Sequence, residues 1–185
     1  MRSFCEAFKP DDNVELWIKT DRNSVNPLVE IPRIANEYPG MKDKIYIIKT
    51  HFHDMSMLYQ LFDSFVLPVA LEGFGMTFLE AMACGLKPIG PAYGGTSEFM
   101  NESNAYLCEM DDWEPIDATG MPHGLFAPDT KWRVPQKDAV IEAMRLACQK
   151  REFLTKSQRA ALRKKWSWEN SAKMLAKELE TLVRK

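Results

Sequence analysis

Two glutamates and two glycines within one short segment hold most of the chemical potential of this chain. Glu72, Gly73, Gly75 and Glu80 lie in residues 68–85, which read PVALEGFGMTFLEAMACG. A glycine loop feeding a helix lets backbone N–H groups come close to an anion, and the unpaired donors of the first helical turn favour negative charge there. A diphosphate suits such a floor. Glu72 stands before the turn and Glu80 inside the following helix, so the anion floor is flanked by two strong acceptors of the kind that bind hydroxyls.

The elements that position these groups are legible on either side. The apolar strand at residues 65–67 stops at Pro68, which has no backbone donor and cannot continue a central ladder. A loop must follow. Met76–Cys84 then reads as a helix, with apolar Phe78, Leu79, Met82 and Ala83 and with Gly85 as its C-terminal cap. A second reading of Glu80 is local: Thr77-Phe78-Leu79-Glu80 matches a capping box, in which Thr77 caps the helix and Glu80 reaches back. That alternative leaves Glu72, Phe74 and the paired glycines without a role.

At these residues the chain resembles the retaining nucleotide-sugar glycosyltransferases of the GT-B fold, family 4. The resemblance is carried by Glu72-Gly73-Phe74-Gly75, by Glu80-Ala81-Met82-Ala83-Cys84-Gly85 at a Glu-x7-Glu spacing, and by Pro88-Ile89-Gly90 followed by Gly94-Gly95-Thr96-Ser97-Glu98. Trp166-Ser167-Trp168-Glu169 is similar to the family's Ser-Trp-Glu near the C-terminus. It runs over almost the whole chain, but only to the C-terminal, donor-binding half of such enzymes.

The resemblance implies transfer of a sugar from a nucleotide-diphosphate-sugar donor to an acceptor, with retention of configuration and with no metal or other cofactor. Glu80 would accept the ribose hydroxyls and Glu72, the catalytic candidate, hydroxyls of the transferred sugar. Backbone N–H groups of Phe74, Gly75, Met76 and Thr77, with Gly73 in the same loop, would hold the sugar and diphosphate. Thr50 and His51, past an earlier strand end, would lie against the base. Two further features of the family, a first strand with an Arg/Lys loop and an N-terminal acceptor domain, have no counterpart in this sequence. Lys19, Arg22 and Lys49 are candidate substitutes for the basic loop. The isolated chain is expected to turn over weakly or not at all. The alternatives are a truncated, non-catalytic donor domain acting as a binding or scaffold module, and a nucleotide-sugar epimerase on the same fold.

Composition bounds these readings. With 185 residues, 45% of them hydrophobic, the chain suffices for one globular domain with a real core, and its net charge of -2 identifies no partner class. No overall basic excess points to nucleic acid, and no apolar run approaches the roughly 20 residues that span a bilayer. The expected compartment is cytoplasmic, and a second copy of the chain or a membrane surface is a candidate partner. Cys5, Cys84, Cys108 and Cys148 are widely spaced and read as reduced packing residues.

Read in order, the chain alternates. A helix at 2–8, a strand at 14–18, a helix at 28–38, a strand at 44–49, a helix at 56–62 capped by Asp54 or Ser56, and the central motif are followed by a strand at 87–91, a helix at 96–100 and a strand at 105–108. Such alternation, with no hairpin signal, predicts an α/β fold: a Rossmann-like, doubly wound parallel sheet with helices on both faces. The absent first strand would lie between the strands at 14–18 and 65–67. Residues 111–135, rich in proline, are a loop excursion expected to be structured, and 136–185 form closing helices with a basic, solvated face. His51 and His53 need a third ligand to bind a metal, and His123 is the only other histidine. Glu98 reads either as part of the family motif or as a charge at a helix start. Dinucleotide and P-loop readings fail: position 78 is Phe78 instead of a third glycine, and no Gly-Lys-Ser or Gly-Lys-Thr occurs.

Overall fold

The computed structural model describes residues 1–20, 27–116, 126–127 and 129–183. Its strands are short and its layers are set by alternation. β1 (Leu16–Lys19) pairs parallel with β2 (Ile45–Ile48), with Leu16 opposite Ile45 and Lys19 opposite Ile48. β3 (Ile89–Gly90) pairs parallel with β4 (Tyr106–Leu107), and Val66 makes a parallel bridge to the other side of Ile89.

Successive strand residues face opposite layers, as the period of two requires. Val66, Ile89, Tyr106 and Cys108 face one core, completed by Phe4, Cys5 and Ala7 of α1 (Arg2–Ala7) and by Val140, Ile141, Met144 and Ala147 of α5 (Lys137–Lys150). Phe65, Leu67, Ala105 and Leu107 face the other. There they meet Phe78 and Met82 of α4 (Met76–Cys84), Phe99, Met100 and Leu154, and Leu162 and Trp166 of α6 (Lys156–Trp166). Helices therefore cover both faces.

Several elements fall close to where the pattern predicts. α2 spans Pro27–Glu37 and α3 spans Met55–Tyr59, shorter than expected, with Asp54 as cap accepting from the Ser56 amide at 2.8 Å. One expectation is corrected. The helix predicted at 96–100 is a 3₁₀ turn at Gly94–Glu98, because buried Thr96 bonds back to its own turn instead of extending it. The 111–135 excursion contains an antiparallel pair, β5 (Glu114–Pro115) with β6 (Lys131–Trp132). A long connection separates these strands, so no two-residue turn signature announces them.

Among the described residues no backbone hydrogen bond joins the β1–β2 pair to the Val66–β3–β4 ladder. Phe65, Val66 and Leu67 are only half-buried beside this break. α7 (Trp168–Val183) has no buried residue, and Trp168, Leu175, Leu179 and Leu182 recur along it exposed, so its apolar stripe is uncovered.

One buried cation anchors the edge of the first core, beside Tyr106. The Lys87 ammonium pairs with Glu152 at 2.8 Å and lies over the Tyr106 ring, 4.6 Å from its centroid, while the Tyr106 hydroxyl donates to Glu152 at 3.3 Å. Lys87 holds the Glu152 carboxyl below its ordinary 4.5. A depressed carboxyl contributes stability above 4.5 that is lost as pH falls through its lower folded value. Glu152→Gln should therefore melt below the wild type at pH 7, and scanning calorimetry should show the gap closing as the buffer is taken below that value.

Candidate functional site

The two ends of α4 are finished differently. At its C-terminus Gly85 takes the left-handed conformation, φ 109, and donates to the carbonyls of Ala81 and Met82, while Arg163 donates to the Ala83 carbonyl at 2.6 Å. A guanidinium there also suits the negative end of the helix dipole. At its N-terminus Gly75 takes φ 92, no side chain caps the helix, and the first turn contains no acidic residue. Met76 and Thr77 are exposed. The amides of this turn have no carbonyl within the helix to reach, so the positive end is left facing solvent.

Each motif glutamate has a specific partner. Glu72 is half-buried and its Oε1 accepts from the Gly75 amide at 2.9 Å. Of the four amides predicted to hold sugar and diphosphate, that of Gly75 is therefore engaged by Glu72 in this structure, because the turn is short enough for the carboxylate to fold back on it. Glu80 is exposed, and its Oε2 accepts from the Tyr59 hydroxyl at 3.1 Å. The capping box is not formed: Gly75, not Thr77, is the N-cap, and Glu80 is turned to α3. Burial first, then the neighbouring Glu80 charge, push the Tyr59 hydroxyl well above the ordinary phenol range, so it remains a protonated donor. Sequence reasoning missed Tyr59, which lies on another helix and carries no local motif.

The glycine loop is held from outside. A Cβ on Gly95 would come within 2.2 Å of the Gly73 carbonyl oxygen and 2.4 Å of the Phe74 Cα, and one on Gly75 within 2.6 Å of the Thr96 Cγ2. The Gly94–Glu98 turn thus lies directly on residues 73–75. Thr96 locks that turn by donating to the Pro91 carbonyl at 2.7 Å and accepting from the Tyr93 amide at 3.1 Å. The Phe74 ring packs edge-on to Trp166 at 5.2 Å and against Phe99 at 5.5 Å between centroids. Its side chain is a brace and its backbone is what remains for a ligand.

Other predicted residues fall further out. Thr50 and His51 are exposed beyond the end of β2, and no hydrogen bond among the described residues links them to the 72–80 loop. The His51 and His53 rings stand 5.6 Å apart, His123 lies outside the described residues, and among those described no three His, Cys, Asp or Glu side chains are placed to hold a metal ion. Lys19 donates to the adjacent Thr20 carbonyl, Lys49 is exposed, and Arg22 lies outside the described residues. Glu98 is exposed at the end of its 3₁₀ turn, so it charges no helix start. A groove of about 630 Å³ runs along β4 between Lys87, Tyr93, Arg133 and Lys150, and none of the predicted site residues lines it. The four cysteines are free, and burial raises the Cys108 thiol to about 11. No helix among the described residues is long and apolar enough to cross a membrane.

Residues 2–118 match the family described as Glycosyl transferases group 1, which is more than half of the chain. The chain belongs to this family. Related group 1 sequences include the UDP-N-acetylglucosamine–peptide N-acetylglucosaminyltransferase GtfA subunit of Limosilactobacillus reuteri subsp. suis, 33% identical over 87 residues, 45% of this chain and 17% of that protein. The N-acetyl-alpha-D-glucosaminyl L-malate synthase of Bacillus anthracis is 38% identical over 60 residues, 32% of this chain and 16% of that one. Sucrose-phosphate synthase from Thermosynechococcus elongatus superposes with a TM-score of 0.67 at 18% identity, covering 98% of this chain and 42% of the other. This group 1 glycosyltransferase chain thus has the Rossmann-like α/β fold of a GT-B C-terminal domain, and it spans under half the length of each of these relatives.

The contact at Gly95 generates a test. Gly95→Ala must push the Gly94–Glu98 turn off the glycine loop, a clash of the kind that costs about 1 to 3 kcal/mol. Chemical denaturation should show a loss of that order, with a control alanine at exposed Gly73, whose Cβ would meet nothing within 4 Å, losing much less.

Proposed function

We propose that this chain supplies the donor site for retaining transfer of a sugar from a nucleotide diphosphate. The observation that carries the reading is the N-terminus of α4, with no side-chain cap on its first turn, Glu72 bonded to the Gly75 amide and Glu80 exposed further along the same helix. The diphosphate would lie over the first-turn amides of Met76 and Thr77, where the helix end favours negative charge. Glu80 would accept the ribose hydroxyls. Glu72 would exchange its bond to the Gly75 amide for hydroxyls of the sugar, releasing that amide to the ligand. Similarity to proteins named for N-acetylglucosaminyl and mannosyl transfer supports a hexose-type donor.

In the transfer step the bond between the anomeric carbon and the diphosphate oxygen breaks, the electron pair leaving with the diphosphate. The bond from the acceptor oxygen forms on the same face, and the acceptor hydroxyl gives its proton to the departing diphosphate oxygen. Fixed donors at the helix mouth stabilise the charge that grows on the leaving group, the kind of preorganised electrostatics that dominates many catalysed reactions. A second reading, a donor-type module that binds without turnover, is favoured by the break between the β1–β2 pair and the Val66 ladder. Hydrolysis or transfer of a radiolabelled donor by the purified chain separates the two.

Stabilisation by a ligand follows its concentration relative to its dissociation constant, so a melting screen against nucleoside diphosphates and their sugars should detect even a weak site. A hydrogen bond to a charged group is worth about 1.5 to 3 kcal/mol. Glu80→Ala should therefore weaken the best nucleotide by roughly 10- to 150-fold in calorimetry. Unchanged affinity in that variant removes the donor-site assignment.

A further inference from the structure

We propose that Tyr59 is a positioning residue for the donor site, fixing the Glu80 carboxylate so that its remaining lone pairs meet the two ribose hydroxyls. The inference rests on the donor-site reading above and adds to it a residue from a different helix. Glu80 is exposed, and an exposed glutamate has three rotatable bonds to immobilise before it can grip a ligand. Tyr59 removes much of that freedom. Its side chain is 5% exposed, and its ring stands edge-on to Phe65 at 5.8 Å, so the hydroxyl has a fixed place from which it donates to Glu80 Oε2 at 3.1 Å.

The stoichiometry of the contact fits. An ionised carboxylate offers about four lone-pair sites, and the phenol takes one on Oε2, leaving Oε1 and the rest of Oε2 toward solvent. Cis hydroxyls on adjacent ribose carbons need two acceptors on one rigid group. The phenol, held protonated, serves as donor throughout and never competes for those acceptors. α3 and α4 also meet through apolar contact, since Tyr59, Ala81 and Leu86 share a core with Met55 and Phe65. Tyr59→Phe would therefore remove one hydroxyl while leaving that packing in place.

The alternative is that Glu80 merely satisfies a buried phenol, and ligand chemistry distinguishes the two. Calorimetry on the full chain would compare wild type, Tyr59→Phe, Glu80→Ala and the double variant, using UDP, GDP and ADP and their 2′,3′-dideoxy analogues, with melting curves confirming that each variant folds. For whichever nucleotide binds, Tyr59→Phe is expected to weaken the ribonucleotide about 3- to 10-fold, the size of one ordinary hydrogen bond. It should leave the dideoxy analogue unchanged and have no further effect on a Glu80→Ala background. Equal losses for both ligands, full additivity with Glu80→Ala, or wild-type affinity in Tyr59→Phe would each overturn the assignment while leaving the donor site standing. A wild type that binds none of the three diphosphates, or binds ribo and dideoxy forms alike, overturns the donor-site reading and this inference together.

Discussion

The absence of a side chain at Gly95 is the constraint on which the site depends. Its Cα lies against the backbone of Gly73 and Phe74, so near that a methyl group would overlap the Gly73 carbonyl. Two turns far apart in sequence are thereby stacked, one feeding α4 and one following β3. The stack explains why Gly75 can hold φ 92 at the helix start: Thr96, itself bonded to Pro91 and Tyr93, closes over it. A loop whose backbone is meant to touch a ligand cannot be steadied by its own side chains. It must be steadied by another backbone, and here the close approach requires glycine at position 95.

Around that stack the energetics divide by layer. Phe78 and Met82 sink the buried side of α4 into the second core, and Gly90 leaves room for Phe78, since a Cβ there would come within 2.6 Å of the ring. Phe99, just past the 3₁₀ turn, and Trp166 of α6 brace the loop through the Phe74 ring. Arg163 and Gly85 satisfy one end of α4, while at the other Glu72 takes the Gly75 amide and no side chain caps the first turn. A packed helix whose first-turn amides are left free at its positive end favours negative charge there.

The short strands are the weaker part of the architecture. β1–β2 and the Val66–β3–β4 ladder are parallel but not joined to each other among the described residues, so the layers above and below them hold the two groups in place. α1 and α5 share one core with Ile45 of β2 and Ile89 of β3, which is the apolar bridge across the break. An exposed apolar stripe on α7 sits at the opposite extreme, on a helix formed by its own pattern with none of its residues buried.

Local signals sufficed for what depends on neighbours in sequence. The period of 3.6 and Gly85 set the limits of α4, the proline at 68 ended its preceding strand, and the Glu-Gly-Phe-Gly and Glu-x7-Glu spacing marked the family to which the chain belongs. The partners of the site residues were beyond such reasoning. That Glu80 meets Tyr59 instead of closing a capping box, that Glu72 folds onto the Gly75 amide, and that Trp166 backs Phe74 are contacts across 21, 3 and 92 positions, and the two long ones exist only because the layers stack. The short one turned on a side-chain rotamer that no periodicity encodes. Sequence pattern specifies which backbone groups a segment leaves free, whereas tertiary packing decides which side chains arrive to use them.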